Sequence, residues 1–283
     1  MSKHPLSFEA VHGFIKWLNT RKESFSIHST GYTKTIIWKG DKFTFLDNAS
    51  RNTFVFPCFN KIKSDIKKSN VIIDKVPRFN IEYFGANDFL KRIKGDYSTE
   101  VINIDLCSAY LTTLLNAKLI TEDTFNYVAG ADKATRLKAV GMLATNKVIF
   151  NFENGKLKSH SFACDEVMRN YFFYCCYEVG QVMRQVADIA GQNFYFFWVD
   201  GIYLSGDFDE KLITTVCEEK GYKVKTKRLE NCTFANQEKS LHFSYFDEKA
   251  FKVFNVPFYD SEERKKIDYF LNYIKNESNI NAI

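Results

Sequence analysis

Two hydrophobic periods run through this chain and divide it into elements. Phe8–Leu18 repeats its apolar residues every three to four positions and predicts a short amphipathic helix. Thr33–Trp38, Phe43–Leu46 and Thr53–Phe59 are β-rich runs, broken by Gly40-Asp41 and by Asn48-Ala49-Ser50. Lys61–Lys68 sets lysines close together, as a solvated helix face or as a phosphate contact. Asn87 is placed to cap a short helix over Asp88–Ile93.

After residue 100 the pattern becomes orderly. A strand over 101–105 leads into a helix over 108–118, and Thr121 caps a second helix over Glu122–Tyr127. A helix over 131–145 is basic on one side, with Lys133, Arg136 and Lys138. Asn154-Gly155 predicts a type I′ hairpin within Lys147–Lys158. A long helix follows over Ala163–Ala190, with Asp165 and Arg169 four apart. Next come a hairpin over 193–205, a helix over 208–220 capped by Asp207 and stopped at Gly221, and a strand over 222–229. Asp260–Lys275 reads as a charged helix capped near Ser261.

Strand, helix, hairpin, helix, strand is the order of a split βαβ, so the expected class is α+β with a ferredoxin-like (RRM-like) sheet. That sheet occupies 98–230, with an insertion near 120–160. A basic N-terminal α/β accessory region covers 1–97, and a small C-terminal region covers 231–283. In this topology the end of the first strand adjoins the turn of the central hairpin. Asp105 and Asp200 are thereby brought together across 95 positions.

Charge sharpens the picture. The net charge is +5, but residues 1–100 carry 17 Lys/Arg against 10 Asp/Glu, a balance that suits a polyanion. Seven cysteines include no CxxC pair, which points to a reduced, cytoplasmic protein without zinc or disulfides. No run of ~20 apolar residues is present, so no membrane span is expected. The 28 Phe and 15 Tyr, with many Lys, Asn and Ile, match the codon bias of an AT-rich genome.

VINIDLCSAY (Val101–Tyr110) carries the candidate chemistry. A carboxylate at the end of a buried strand is costly unless something pairs with it. A divalent cation, Mg²⁺ or Mn²⁺, shared with Asp200 is the usual remedy. Two acidic strand ends in one cleft build a two-metal phosphoryl-transfer site. The carbonyl of Leu106 adds a ligand, and the backbone N–H groups of Ser108 and Ala109 face phosphates at a helix start.

DLCSAY (Asp105–Tyr110) resembles the DxxSxY core of motif A in family B DNA polymerases, and FFWVDGIYL resembles motif C. Asp200 falls on the second, metal-binding aspartate of motif C, and Trp198 stands where the first would be. RLKAVGMLATNK occupies the place of motif B, with Lys138 at the triphosphate lysine and Met142 and Thr145 in place of asparagine and tyrosine. The resemblance covers about residues 98–230. It implies a polymerase palm in which Asp105 and Asp200 hold metal. Lys138, with Arg136 or Lys133, neutralises the leaving pyrophosphate, and Tyr110 lies under the sugar and excludes a 2′-hydroxyl.

The first 95 residues contain no exonuclease motif, so proofreading is not expected. LHFSY (Leu241–Tyr245) has histidine where the thumb element KxY has lysine. The family implies dNTPs and a primer–template as partners, with a protein or short oligonucleotide as primer, in a virus or mobile element. The sequence does not reveal an oligomeric state. Other readings are a degenerate palm that binds single-stranded DNA, a reverse transcriptase or RNA polymerase palm, and a metal-dependent nuclease.

Overall fold

The computed structural model describes residues 6–30, 33–46, 54–74, 76, 83–84, 96–237, 240–247 and 250–257. In chain order the strands and helices are β1 (Leu6–Ser7), α1 (Phe8–Thr20), β2 (Phe25–Ser29), β3 (Thr33–Trp38), β4 (Asp41–Leu46), α2 (Val55–Lys68), β5 (Tyr83–Phe84), β6 (Asp96–Leu106), α3 (Ala109–Asn116), α4 (Glu122–Ala129) and α5 (Lys133–Gly141). They continue with β7 (Lys147–Glu153), β8 (Lys156–Ala163), α6 (Glu166–Ala190), β9 (Phe194–Trp198), β10 (Gly201–Ser205), α7 (Glu210–Glu219), β11 (Val224–Asn236), β12 (Ser240–Asp247) and β13 (Ala250–Pro257). The class is mixed α+β, built on two largely antiparallel sheets. Among the described residues no helix is long and apolar enough to cross a membrane.

The chain divides into two compact units. One comprises 1–74 with 117–172; the other comprises 75–116 with 173–283. In the first, a six-stranded sheet runs β1-β4-β3-β2-β7-β8. Val11 and Leu18 of α1 bury against Phe25, Ile27, Ile36 and Phe45 of the sheet. The β7–β8 turn has Asn154 at φ 52° and Gly155 at φ 72°, as a type I′ turn demands.

α2 replaces the strand expected at 53–59. Val55, Cys58, Ile62 and Ile66 are its buried residues, at the spacing of one helical face, and that face outweighs the β propensity of Val55 and Phe56. Pro57 is tolerated because it lies in the first turn. The lysine cluster rides on this helix. Lys63 pairs with Asp165 at 2.9 Å, and Lys61 lies over the Tyr127 ring. Asp165 thus bonds to another element, while its backbone carbonyl accepts from the Arg169 N–H at the start of α6. Asp65 accepts from the hydroxyl and N–H of Thr121, the residue that caps α4.

In the second unit a seven-stranded sheet runs β13-β12-β11-β6-β10-β9-β5. β6 alternates its faces. Ile102, Ile104 and Leu106 pack with Val179, Val182, Met183 and Val186 of α6 and Ile213 and Cys217 of α7. Each such side chain contributes about 1.5–3 kcal/mol by leaving water. Val101 packs on the opposite face, in a second core of Tyr195, Phe196, Tyr203, Phe234, Phe243 and Tyr245.

That second core exists because the sheet curls. β11 is longer than the expected 222–229 strand, and a bulge between Leu229 and Cys232 bends it. β12 and β13, not expected as strands, then fold back across the face. Phe254 of β13 meets Trp198 of β9 at 5.5 Å and Tyr203 of β10 at 5.7 Å, although four strands separate β13 from β9 in the sheet order.

α7 is capped by Asp209, which accepts from the Lys211 N–H at 3.1 Å, rather than by Asp207. A turn joining Phe208 N–H to the Ser205 carbonyl delays the helix by two residues. The helices expected over Asp88–Ile93 and Asp260–Lys275 lie outside the described residues.

Gly155 sits where a Cβ would come 2.5 Å from the backbone oxygen of Asn19. Gly155→Ala is expected to lower unfolding free energy by roughly 1–3 kcal/mol, read by urea denaturation. Burial holds the Glu178 carboxyl of α6 above the usual glutamate range, against the opposing effects of Lys220 and a hydrogen bond from Tyr174. The folded state therefore keeps this proton longer than the unfolded chain. The stability it contributes is full below the ordinary glutamate pKa and declines as pH rises toward the raised value. Glu178→Gln should flatten that decline in denaturation curves taken from acid to neutral pH.

Candidate active site

Asp105 is the penultimate residue of β6 and ends four residues before the first helical residue of α3. It is therefore a strand residue, not the cap of the following helix. Its register partner on β10 is Gly201, and its partner on β11 is Lys225. Asp200 precedes Gly201, and its carbonyl accepts the Leu106 N–H at 2.9 Å. The two aspartates thus occupy neighbouring strand ends, one position out of register. Both are half-buried.

Two tyrosines report the field of these carboxylates. The Tyr203 hydroxyl is pushed far above the usual phenol range, first by burial, then by Tyr245, then by Asp105 and Asp200. Tyr110 is shifted the same way, by burial, by Cys176 and Cys175, and by Asp200. The Cys176 thiol donates to the Tyr110 hydroxyl at 3.6 Å, which ties α3 to α6. Asn103, on the Asp105 side of β6, donates to the Ile202 carbonyl at 3.3 Å.

The hairpin turn differs from the one that Asp200-Gly201 suggests. Trp198 pairs with Gly201, so the two loop residues are Val199 and Asp200. Val199 is forced to φ 55°. A β-branched residue in the left-handed region is strained, and such strain collects at functional sites. Ser108, at the strand-to-helix junction, is also left-handed at φ 51°. Ala109 is buried at the start of α3, and the Thr112 N–H donates to the Ser108 carbonyl.

Asp105, Leu106, Ser108, Ala109, Tyr110 and Asp200 all belong to one compact unit, whereas Arg136 and Lys138 belong to the other. Arg136 donates to the carbonyls of Ala129 and Ala131 at 3.0 and 2.8 Å, closing the end of α4. Lys138 is half-buried in the last turn of α5, which ends at Gly141 before a 3₁₀ turn over Met142–Ala144. Among the described residues no group of three His, Cys, Asp or Glu side chains gathers.

No family model matches this chain, and no curated protein matches it. The site is therefore read from its own geometry.

Sequence reasoning overlooked the β11 lysines. Lys225 lies directly across from Asp105 and Lys227 across from Asn103, so both share the Asp105 face, and both are exposed. The signal was present as the alternating KVKTK of Lys223–Lys227. Tyr203 also went unremarked, because its proximity to the carboxylates arises only from pairing.

Val199→Gly should relieve the turn. After the entropy cost of glycine, it is expected to raise unfolding free energy by roughly 0.5–1 kcal/mol in urea denaturation.

Proposed function

We propose that this chain is a minimal DNA polymerase whose second unit carries a ferredoxin-like palm resembling that of family B enzymes. The observation that carries the reading is the pairing of Asp105 with Gly201, which sets Asp105 and Asp200 at adjacent strand ends. The strand order β11-β6-β10-β9, all antiparallel with α3 and α6 between β6 and β9 and α7 between β10 and β11, supports the ferredoxin-like topology.

The donor set suits a hard cation. Mg²⁺ takes one or two carboxylates and completes its shell with water and substrate phosphates, so two aspartates suffice. Asp105 and Asp200, with the Leu106 carbonyl, would hold Mg²⁺ or Mn²⁺. The bound metal supplies charge neutralisation at the phosphoryl oxygens and a more acidic primer hydroxyl. The protein's own groups do the rest. Exposed Lys225 and Lys227 offer cations to a DNA backbone beside Asp105. Backbone N–H groups at Ser108 and Ala109 bind phosphate oxygens, and Tyr110 lines the sugar site. The substrates are dNTPs and a primer–template, with an oligonucleotide or a priming protein supplying the hydroxyl. The reaction is extension without proofreading, in the host cytoplasm if the source is viral.

A second reading is a palm that binds single-stranded DNA without catalysis. It is favoured by Trp198, which stands at the hairpin where an outer aspartate would supply a further carboxylate. Primer extension with Mg²⁺ or Mn²⁺ separates the two. Wild type should extend a primed DNA template with dNTPs. Asp105→Asn and Asp200→Asn should each lower the rate by roughly a thousandfold or more while DNA binding persists. Wild-type protein that shifts DNA and never extends it would leave the binding module as the function.

A further inference from the structure

One row of the second sheet crosses five strands, starting where Tyr83 of β5 pairs with Trp198 of β9. Trp198 of β9 pairs with Gly201 of β10, Gly201 pairs with Asp105 of β6, and Asp105 pairs with Lys225 of β11. Directly paired residues share a face, so the indole, the bare glycine, the carboxylate and the ammonium stand in line on one side of the sheet. Adjacent strands are about 5 Å apart, which sets the Trp198 backbone about 10 Å from that of Asp105. Gly201 lies between them and raises no side chain. Asn103 Nδ2 and the Tyr203 ring flank it, each 3.5 Å from where its Cβ would stand. Along the row an aromatic group is followed by a position with no side chain of its own, then an acidic group and a basic one.

We propose that Trp198 is a stacking platform for the base of the primer's 3′-terminal nucleotide, a role that rests on the polymerase reading of Asp105 and Asp200. The order along the row matches the order of chemical groups in a nucleotide. The base meets the indole, the sugar lies over Gly201, and its 3′-hydroxyl, the attacking group, reaches the carboxylates. Trp198 is half-buried and packs against the aromatic core of its face. Phe254 meets its ring at 70° and holds the plane of the indole. An indole held in this way accepts any base, because every base has a π-face, and sequence tolerance is what an extending enzyme requires. A third carboxylate at this position would add charge to the metal site. Tryptophan instead adds grip on the primer end.

The test uses the full chain with Trp17→Phe and Trp38→Phe, which leaves Trp198 as the sole tryptophan. Ca²⁺ replaces Mg²⁺, so that a 3′-recessed primer–template binds without turnover. Binding should quench Trp198 fluorescence saturably, and a blunt duplex of equal length should quench it less. In the wild-type background Trp198→Ala should weaken primer–template affinity by roughly 5- to 150-fold, with Trp198→Phe recovering most of it. DNA binding without quenching, or Trp198→Phe and Trp198→Ala both binding as wild type does, would overturn the proposal. The two readings fail separately. Intact extension without quenching removes only the stacking role. Saturable quenching by DNA in a protein that never extends a primer removes the polymerase, and with it the primer end as the stacked group, and leaves Trp198 as a base-stacking residue of a DNA-binding site.

Discussion

The hydrogen-bonded register between β6 and β10 is the constraint on which the second unit turns. It sets Gly201 opposite Asp105 and delivers the Asp200 carbonyl to the Leu106 N–H. A slip of one residue would send every β6 side chain to the opposite face. Ile102 and Ile104 would leave the helices, and Asp105 would enter an apolar core at a cost of several kcal/mol. The apolar packing that stabilises the fold and the placement of the carboxylates are thus one and the same choice of register.

The two faces of this sheet have different tasks. α6 and α7 seal one with aliphatic side chains. The other carries Asp105, Lys225 and Trp198, and is bounded by aromatic rings from β12 and β13. The bulge in β11 makes this possible, because a straight strand would carry β12 and β13 away from β9. Phe243 is fully buried by contacts that reach Phe196 at 5.3 Å and Tyr203 at 5.4 Å. Much of the high phenylalanine and tyrosine content, which composition alone attributes to codon bias, is put to use here.

The hairpin turn shows the cost of this arrangement. Asp-Gly in the loop would have been relaxed, but it would pair Val199 with Ile202 and move Trp198 and Gly201 out of line with Asp105. The observed pairing instead puts Val199 in the left-handed region. Strand pairing over Gly201–Leu204 outweighs the strain of a single residue.

Local signals were legible where chemistry is local. Thr121 as a cap, Asn154-Gly155 as a type I′ turn and the alternation of Val101–Asp105 each state their conformation without help from the rest of the chain. The convergence of Asp105 and Asp200 was legible too, because the order of elements restricts which strands can be neighbours. Long-range packing settled the remainder. Val55–Phe59 became helix because Val55, Cys58 and Ile62 are buried along one helical face, and propensity yields to burial. The row from Trp198 to Lys225 joins residues from four separate strands. Its alignment is a matter of inter-strand hydrogen bonds, which no stretch of the sequence encodes alone.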